Sequence, residues 1–323
     1  MKTFVRGCAR GVVLGLFAAS AWAQGFPNHN ITMVVPFSAG GPLDAMARVL
    51  ASKMAEGFGQ PVVVENRVGG GGALGMGSVA RSRPDGYTIL YTPNSLAIMP
   101  AFYRKLAFDA ERDLAPVSQF ASTTLVLAAH PKIGVSTVNE LVALAKSRPG
   151  KLNFGSSGVA DPLQLGIEML KTMTGIDMLP IPYKGQAPMF TALLAGEVDV
   201  AVVSLQTSLA PIRAGNLKVL AITGPKRSAA LPGVPTVAES GLPGYDLTSW
   251  HGVFVPAGTP RDVTDRLQRE IARVAALPEV RQRMEATGNE AVGSTPEEFD
   301  VKFKADVARF RKIVQDARLP MQD

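Results

Sequence analysis

The stretch from Ile31 to Asp44, ITMVVPFSAGGPLD, decides the fold prediction. It begins as a short apolar strand that ends at Val35, and a loop with Gly40 and Gly41 then leads into a helical pattern. Unpaired N–H groups and the dipole at the start of such a helix favour a bound carboxylate or phosphate. The two glycines let the backbone approach that anion without a Cβ in the way. An ordinary β-loop-α turn has the same pattern, so this stretch alone leaves the anion site open.

The first residues have the pattern of a secretory signal peptide. Lys2, Arg6 and Arg10 form a basic region, an apolar run follows, and Ala21–Trp22–Ala23 matches an A-x-A cleavage site. The apolar run is too short to span a membrane, and no later segment is both long and free of charge. We therefore predict a signal peptide over residues 1–23 and export to the periplasm of a Gram-negative bacterium.

Cysteine content and net charge exclude several kinds of site and partner. Cys8 is the single cysteine and lies inside the predicted signal, so the mature chain has no disulfide and no cysteine ligand or nucleophile. Removing the three basic residues of the signal lowers the formal charge from +6 to +3 (6 − 3). This mild and scattered charge predicts no nucleic-acid partner, although it favours the arrival of a small acidic ligand.

Strand and helix patterns alternate along the mature chain. Its 300 residues (323 − 23) are enough for two domains or one large domain. The alternation predicts an α/β architecture with largely parallel sheets. Residues Asp109 to Pro116 are interpreted as a connector before a strand that starts at Thr124. The chain is expected to return to its first domain near Gly224–Pro225.

A glycine-rich segment from Gly69 to Gly77, GGGGALGMG, contains the G-x-G-x-x-G spacing of a dinucleotide site at Gly70, Gly72 and Gly75. The preceding strand ends at Glu65, and three residues separate it from the glycines, whereas a dinucleotide site needs its turn directly at the strand end. The next strand also ends without an acidic residue for a ribose. We therefore predict a structural loop here and no cofactor.

Residues Leu152 to Gly158, LNFGSSG, repeat the order of strand, small-residue loop and helix. Ser156 and Ser157 add hydroxyl groups to the backbone amides of this loop. Two such loops in separate halves of the chain could hold one ligand from both sides. Asp161 precedes Pro162 at the start of the next helix, so its carboxylate either caps that helix or contacts a ligand.

A secreted hydrolase is the main enzymatic alternative, and it requires a nucleophile beside a base. The three histidines, His29, His130 and His251, are scattered, and none lies in a G-x-S-x-G setting. The sequence has no H-x-x-x-H pair and no cysteine outside the signal, so no metal-ligand spacing is present. We expect structural roles for the histidines, and no catalytic or metal site.

Six blocks of sequence together resemble the Bug family, the extracytoplasmic solute receptors associated with tripartite tricarboxylate transporters. In chain order these blocks are VVPFSAGGPLDAMARVL, PVVVENRVGGGGALG, PDGYTIL, PYKGQAPMFTALLAGEVD, LPGVPTVAESGLPGY and HGVFVPAGTP. The resemblance implies a type II periplasmic binding protein fold, with two α/β lobes joined by two crossing strands and the ligand in the interlobe cleft. We accordingly predict lobe 1 from residues 24–123 and 225–323, and lobe 2 from residues 124–224.

The resemblance also implies the function. Members of the family bind small carboxylates, including organic acids, amino acids and aromatic acids, and deliver them to the membrane subunits of a transporter. A monomer without a cofactor is expected. The alternative within the same binding chemistry is a subunit that presents its ligand to a signalling partner such as a histidine kinase.

Carried onto this sequence, the resemblance implies a set of ligand contacts on both lobes. These are Phe37, Ser38, Ala39, Gly40 and Gly41 in the first loop, Thr92, Asn94 and Ser95 after the third strand, Ser156, Ser157, Gly158 and Asp161 in the second lobe, and Tyr183 and Ser204 at the far end. Asp44 is expected to brace the glycine loop. Bulk at Gly40 or Gly41 is expected to strain that loop and to block the ligand.

The sequence departs from the family pattern near the cleft. Where the family shows Gly-Ser and then His-Leu, this chain has Ala160–Asp161 and Gln164–Leu165. Where the family shows a serine-histidine pair and Asn-Pro, this chain has Ser95–Leu96 and Met99–Pro100. No specific ligand is therefore assigned. An Asp161 that points into the cleft would favour a ligand with an amino group, whereas a bond to its own helix would remove that hypothesis.

Overall fold

The computed structural model describes residues 25–156, 161–183, 185–286, 288–317, 319 and 321. The strands in these ranges are β1 (Ile31–Val35), β2 (Val62–Asn66), β3 (Thr88–Pro93), β4 (Leu114–Thr123), β5 (Leu125–Ala129), β6 (Asn153–Ser156), β7 (Leu179–Pro182), β8 (Val200–Ser204), β9 (Lys218–Ile222), β10 (Ser249–Pro256) and β11 (Asn289–Ala291). The helices are α1 (Pro42–Phe58), α2 (Ala73–Ala80), α3 (Ser95–Phe102), α4 (Val138–Ser147), α5 (Pro162–Thr174), α6 (Gln186–Ala195), α7 (Leu205–Arg213), α8 (Arg261–Ala276), α9 (Pro278–Glu285) and α10 (Pro296–Asp316). The predicted signal peptide, Ser157 and Gly158 lie outside the described residues. No helix in the described part of the chain has the length and apolar character that a membrane crossing requires.

The first of two sheets has the strand order β11-β4-β10-β3-β1-β2. Strand β1 lies parallel to β2 and β3, and Thr32 is in register with both Val63 and Thr88. Strand β10 runs antiparallel to β3 and β4, and β11 runs antiparallel to β4. The predicted strand Ile31–Val35 is confirmed at both ends.

The second sheet has the order β7-β6-β8-β5-β9 and repeats most of this plan. Strand β6 lies parallel to β7 and β8, and β5 lies antiparallel to β8 and β9. Five of the nine strand pairings between the described strands are antiparallel, so the prediction of largely parallel sheets is wrong. The difference arises because β5, β10 and β11 run opposite to the other strands of their sheets.

The chain passes between the two sheets twice, and the two crossings lie side by side. Strand β4 continues through Thr124 directly into β5, and the chain returns between β9 and β10. Thr223 N donates to Leu125 O at 3.0 Å, and Leu247 N donates to Thr223 O at 2.8 Å. The first bond joins the returning segment to the outgoing one, and the second joins the two ends of the returning segment to each other.

Alternation along β1 distributes side chains to the two faces of the first sheet. Met33 and Val35 pack with α1 and α8 on one face, whereas Val34 packs on the opposite face in the cluster that includes residues of α3 and α10. Helix α1 begins with Pro42 at its first position and ends at Gly59, whose φ of +66° closes the helix. Its start is thereby fixed at the carboxyl end of β1.

Three of the elements that the sequence did not predict have atypical residue patterns. The segment interpreted as a connector, Asp109 to Pro116, overlaps β4, a buried strand whose apolar run is interrupted by Ser118 and Gln119. Helix α3 is buried on nearly all sides and contains Pro100, and α7 contains Pro211. A buried short helix with an internal proline lacks the amphipathic period on which sequence prediction depends.

The C-terminal helix α10 is anchored to the returning segment by a buried polar contact. Trp250 Nε1 donates to Asp306 Oδ2 at 2.7 Å, and Arg309 Nη2 donates to Asp306 Oδ1 at 2.8 Å. Arg309 Nη1 also donates to the backbone oxygen of Asp246 at 2.7 Å. The ring of Phe299 packs edge-on against Trp250 at a centroid distance of 5.0 Å. Asp306 therefore holds two donors that burial would otherwise leave unpaired.

We expect the substitution Asp306→Ala to lower the free energy of unfolding by about 2–4 kcal/mol, because it leaves the indole N–H of Trp250 and the Nη2 group of Arg309 without this acceptor. Urea unfolding measures the change. Asp316→Ala is the matched control, since Asp316 pairs with the exposed Lys312 at the end of the same helix. Equal losses from both substitutions would contradict a special role for Asp306.

Candidate functional site

The predicted contact residues lie at the carboxyl ends of the parallel strands. Strands β1, β2 and β3 end at one edge of the first sheet, and β6, β7 and β8 end at one edge of the second. Strands β1 and β6 occupy equivalent positions in their sheets, as do Asn94 after β3 and Leu205 after β8. Each sheet therefore brings its predicted contacts to a single edge, which is the usual place for ligands in α/β folds.

The loop after β1 is held by a carboxylate from its own helix. Asp44 Oδ2 accepts from Gly40 N and from Arg48 Nε, each at 2.9 Å. Asn66 Nδ2 donates to Asp44 Oδ1 and to the backbone oxygen of Phe37, each at 2.9 Å. The prediction that Asp44 braces the loop is confirmed.

Asn66 is a residue of this site that sequence analysis missed. It ends β2, and in the parallel register it lies opposite Val35, the last residue of β1. An amide at the end of the strand next to the ligand loop is the signal that could have identified it. Its side chain ties the loop after β1 to the neighbouring strand.

The contacts of Asp44 lower the pKa of its carboxyl. Burial alone raises this pKa. The hydrogen bonds from Arg48, Gly40 N and Asn66 lower it by more than burial raises it, so the net pKa lies below the ordinary value of 3.8. The ionised carboxylate therefore stabilises the folded loop. That stability is present above pH 3.8 and is lost as the pH falls through the lowered pKa of the folded state.

We expect the difference in unfolding free energy between wild type and an Asp44→Ala variant to shrink as the pH falls from about 5 to about 2. The protonated acid accepts hydrogen bonds poorly from its three donors, so wild type loses the advantage that the variant never had. Urea unfolding at a series of pH values measures this difference. A difference that stays constant over this range would contradict the pKa assignment.

The two glycines of the loop differ in conformation. Gly40 has a φ of +82°, a left-handed conformation that a residue with a Cβ adopts at a cost. Gly41 has a φ of −77° as the residue that precedes α1, and an added Cβ would meet only Ser38 O, at 3.7 Å. The expectation that bulk strains the loop therefore applies to Gly40 and not to Gly41.

The glycine-rich segment after β2 supports this loop. A Cβ at Gly75 would lie 2.6 Å from Arg67 O and 2.8 Å from Pro36 Cβ, and a Cβ at Gly72 would lie 3.3 Å from Phe37 Cζ. The glycines therefore permit close packing of α2 against Pro36 and Phe37. The prediction of a structural loop fits these contacts.

The residues after β3 have two different environments. Thr92 and Asn94 are fully buried. Asn94 Oδ1 accepts from Ser249 Oγ at 3.1 Å, and its Nδ2 donates to Thr248 O at 3.3 Å. Asn94 thus binds the returning segment rather than facing open space, which gives it a structural role instead of the predicted ligand contact. Ser95, at the start of α3, is also buried, and its Oγ has no hydrogen-bond partner among the described residues.

The second-lobe residues that the structure describes lie at the equivalent edge. Tyr183 N donates to Ser156 O at 2.8 Å, which fixes the end of β7 against the end of β6. Ser156 Oγ donates to Gln164 Oε1 at 3.0 Å. Ser204 is half-buried and immediately precedes α7. Gln164 is a second residue that sequence analysis did not assign to the site.

Asp161 caps its own helix. Its Oδ1 accepts from Leu163 N, the second amide of α5, at 2.8 Å, and its backbone has the extended conformation of a cap residue. This bond removes the basis of the hypothesis that Asp161 selects a ligand amino group. Of the two alternatives left open by the sequence, the structure supports the cap.

Each histidine has a structural contact. His29 stacks on Tyr87 with a centroid distance of 3.6 Å, and His130 Nδ1 accepts from Lys132 N at 3.2 Å. The ring of His251 lies 3.2 Å from the Tyr91 hydroxyl through Nδ1, and burial lowers the pKa of this histidine to about 4. His251 is therefore neutral at physiological pH. These contacts agree with the expected structural roles.

The chain is similar to a known family of receptors. Residues 46–319 match the profile of the tripartite tricarboxylate transporter family receptor. Protein BugT of Bordetella pertussis (strain Tohama I) is 35% identical over 312 residues, which cover 94% of this chain and 96% of BugT.

Two solved structures are similar along nearly their whole length. Rpa4515 of R. palustris, solved with adipate, has a TM-score of 0.84 at 32% identity and covers 92% of this chain and 100% of its own. MatC of Rhodopseudomonas palustris, solved with malate, has a TM-score of 0.80 at 29% identity and covers 90% of this chain and 100% of its own. With its two α/β sheets, the chain has the two-lobe fold of periplasmic binding proteins.

Proposed function

We propose, because the chain belongs to the Bug family of tripartite tricarboxylate transporter receptors, that it captures a small carboxylate between its two lobes and delivers it to a membrane transporter. Members of this receptor family are periplasmic binding proteins that work with the membrane subunits of a tripartite transporter. Adipate and malate, found with two structural relatives, are dicarboxylates of the proposed class.

The observation that carries the proposal is the braced loop of residues 37–41. Its backbone is fixed by Asp44 and Asn66, so its amides are oriented before a ligand arrives. It lies at the carboxyl edge of the first sheet and at the start of α1, where the helix dipole favours an anion. Strand β6 has the position in the second sheet that β1 has in the first. A carboxylate held by both loops would keep the lobes closed.

The ligand site that we propose is smaller than the set implied by resemblance. It retains Phe37 to Gly41, Ser95, Ser156, Tyr183 and Ser204, together with Ser157 and Gly158 outside the described residues. It omits Thr92 and Asn94, whose fully buried side chains donate to the backbone oxygens of Pro93 and Thr248, and Asp161, which caps α5.

The division of the chain follows the two sheets. We propose that residues 24–123 and 225–323 form lobe 1 and that residues 124–224 form lobe 2. The strands of the first sheet lie in residues 31–123 and 249–291, and the strands of the second sheet lie in residues 125–222.

We also propose that residues 1–23 are removed on export. The exported protein is expected to begin at Gln24, as N-terminal sequencing or intact mass would show. An exported protein that keeps its first residues would contradict this cleavage site.

A thermal-shift screen of the mature protein tests the function. The panel contains acetate, succinate, malate, adipate, citrate, aspartate and benzoate, each beside its amide. A ligand at about 100 times its dissociation constant stabilises the folded state by about 2.7 kcal/mol, which raises the melting temperature measurably. The proposal predicts a shift with at least one acid and none with its amide. A folded, ligand-free protein that no acid stabilises would contradict it.

A further inference from the structure

Within this proposed function, we infer that Gln164 is a specificity-determining residue, whose side-chain amide donates a hydrogen bond to an oxygen of the bound acid on the second-lobe side. The inference rests on the carboxylate-receptor function proposed above. It adds a contact that the sequence pattern did not identify.

The hydroxyl of Ser156 is already committed as a donor. A serine hydroxyl has one proton, and Ser156 donates it to Gln164 Oε1 at 3.0 Å. Toward any other group, Ser156 Oγ can therefore offer only its lone pairs. A carboxylate also offers only lone pairs, so this hydroxyl is a poor partner for it.

The same bond orients the amide of Gln164. Its Oε1 is fixed toward Ser156, so the two N–H groups of Nε2 point away from that hydroxyl on the rigid amide plane. Among the described residues, Nε2 of Gln164 has no hydrogen-bond partner. The side chain is half-buried in the first turn of α5 and contacts Ser156 at the end of β6. A donor pair thus remains available at the edge where we place the ligand.

The charge of the neighbouring groups favours an oxygen acceptor as the partner of this donor. Asp161, at the cap of the same helix, is bonded to Leu163 N. The start of α5 also has the positive end of the helix dipole, which favours an anionic oxygen over an ammonium group. We therefore expect the ligand to be an acid that places a carboxylate or carbonyl oxygen on the second-lobe side.

The test compares three substitutions by isothermal titration with the panel acid that stabilises wild type most, and with its amide. Gln164→Glu keeps an acceptor for Ser156 but replaces the donor by a negative charge, so we expect affinity for the acid to fall about 100-fold or more. Gln164→Leu removes the donor without adding charge, and we expect about a tenfold loss. Ser156→Ala removes the hydroxyl that orients the Gln164 amide but keeps the donor, so we expect a loss of affinity smaller than that of Gln164→Leu.

Gln282→Glu is the matched control, because it adds the same charge at an exposed position of α9 in the first lobe. It should leave affinity unchanged. Melting temperatures of the unliganded variants show whether each variant folds like wild type.

The selectivity between acid and amide separates a ligand contact from a structural role. Gln164→Glu should weaken the acid far more than the amide, whereas a structural defect would weaken both equally. Equal losses, or acid binding within about threefold of wild type in Gln164→Glu and Gln164→Leu, would overturn the inference while the proposed function stood. A wild type that binds no acid of the panel would instead overturn the proposed function, and this inference with it.

Discussion

A Gly40→Val variant is expected to lose ligand affinity by about 100-fold or more while remaining folded. Gly40 has a φ of +82°, and a β-branched residue in this left-handed conformation costs about 1–2 kcal/mol or more. A Cβ at Gly40 meets no protein atom within 4 Å, so the added side chain would project into open space in front of the loop. There it would exclude the ligand that the loop amides hold. Isothermal titration with the best acid of the panel measures the loss.

The matched control for this variant is Gly59→Val. Gly59 has a φ of +66° at the opposite end of α1, and an added Cβ also meets nothing within 4 Å. The two substitutions impose similar backbone strain on the two ends of one helix. Gly59→Val should therefore reduce stability similarly but leave affinity intact. Normal ligand binding by Gly40→Val would show that the first-lobe loop is not at the site.

An Asp44→Ala variant is expected to lose about 2–3 kcal/mol of stability and to bind the acid about tenfold more weakly. The substitution leaves Gly40 N without its acceptor and Asn66 Nδ2 with only one of its two acceptors, in a partly buried setting. Arg48 contributes less to the loss, because its side chain is half exposed and water can replace its partner. The loop would then no longer be fixed before the ligand arrives. Urea unfolding and isothermal titration measure the two effects.

Asp262→Ala is the control for Asp44→Ala. It distinguishes the contacts of Asp44 with the loop from the favourable interaction of any acidic side chain with a helix dipole. Asp262 also lies in the first turn of a helix, α8, but it is exposed. Its removal costs the dipole interaction alone, a few tenths of a kcal/mol. If Asp44→Ala behaved like Asp262→Ala in both measurements, the bracing role of Asp44 would be refuted.

Local signals predicted much of the fold. The strand at Ile31–Val35 has the predicted bounds, because its apolar run meets a clear stop signal at Pro36. The cap at Asp161 was one of two alternatives from the sequence. In these segments local preference and tertiary packing agree.

Features that depend on contacts between residues far apart in the sequence could not be predicted in the same way. Strand β4 carries Ser118 in its buried part because Ser294 O, 176 residues further along the chain, accepts from the Ser118 hydroxyl. Asn94 follows a strand at the site edge as a ligand contact would, yet its partners come from the returning segment. The role of Gln164 depends on its distance from Ser156 in space. Such contacts follow from topology, which a single sequence does not state.

The most direct test of the account is a crystal structure of the mature protein with the strongest-binding acid of the panel. The account predicts that one carboxylate of this acid contacts, directly or through one water molecule, backbone N–H groups of residues 37–41 and of the loop after β6. A second oxygen of the acid should lie within hydrogen-bond distance of Gln164 Nε2. An acid bound elsewhere, or bound to only one lobe of a closed protein, would contradict the account.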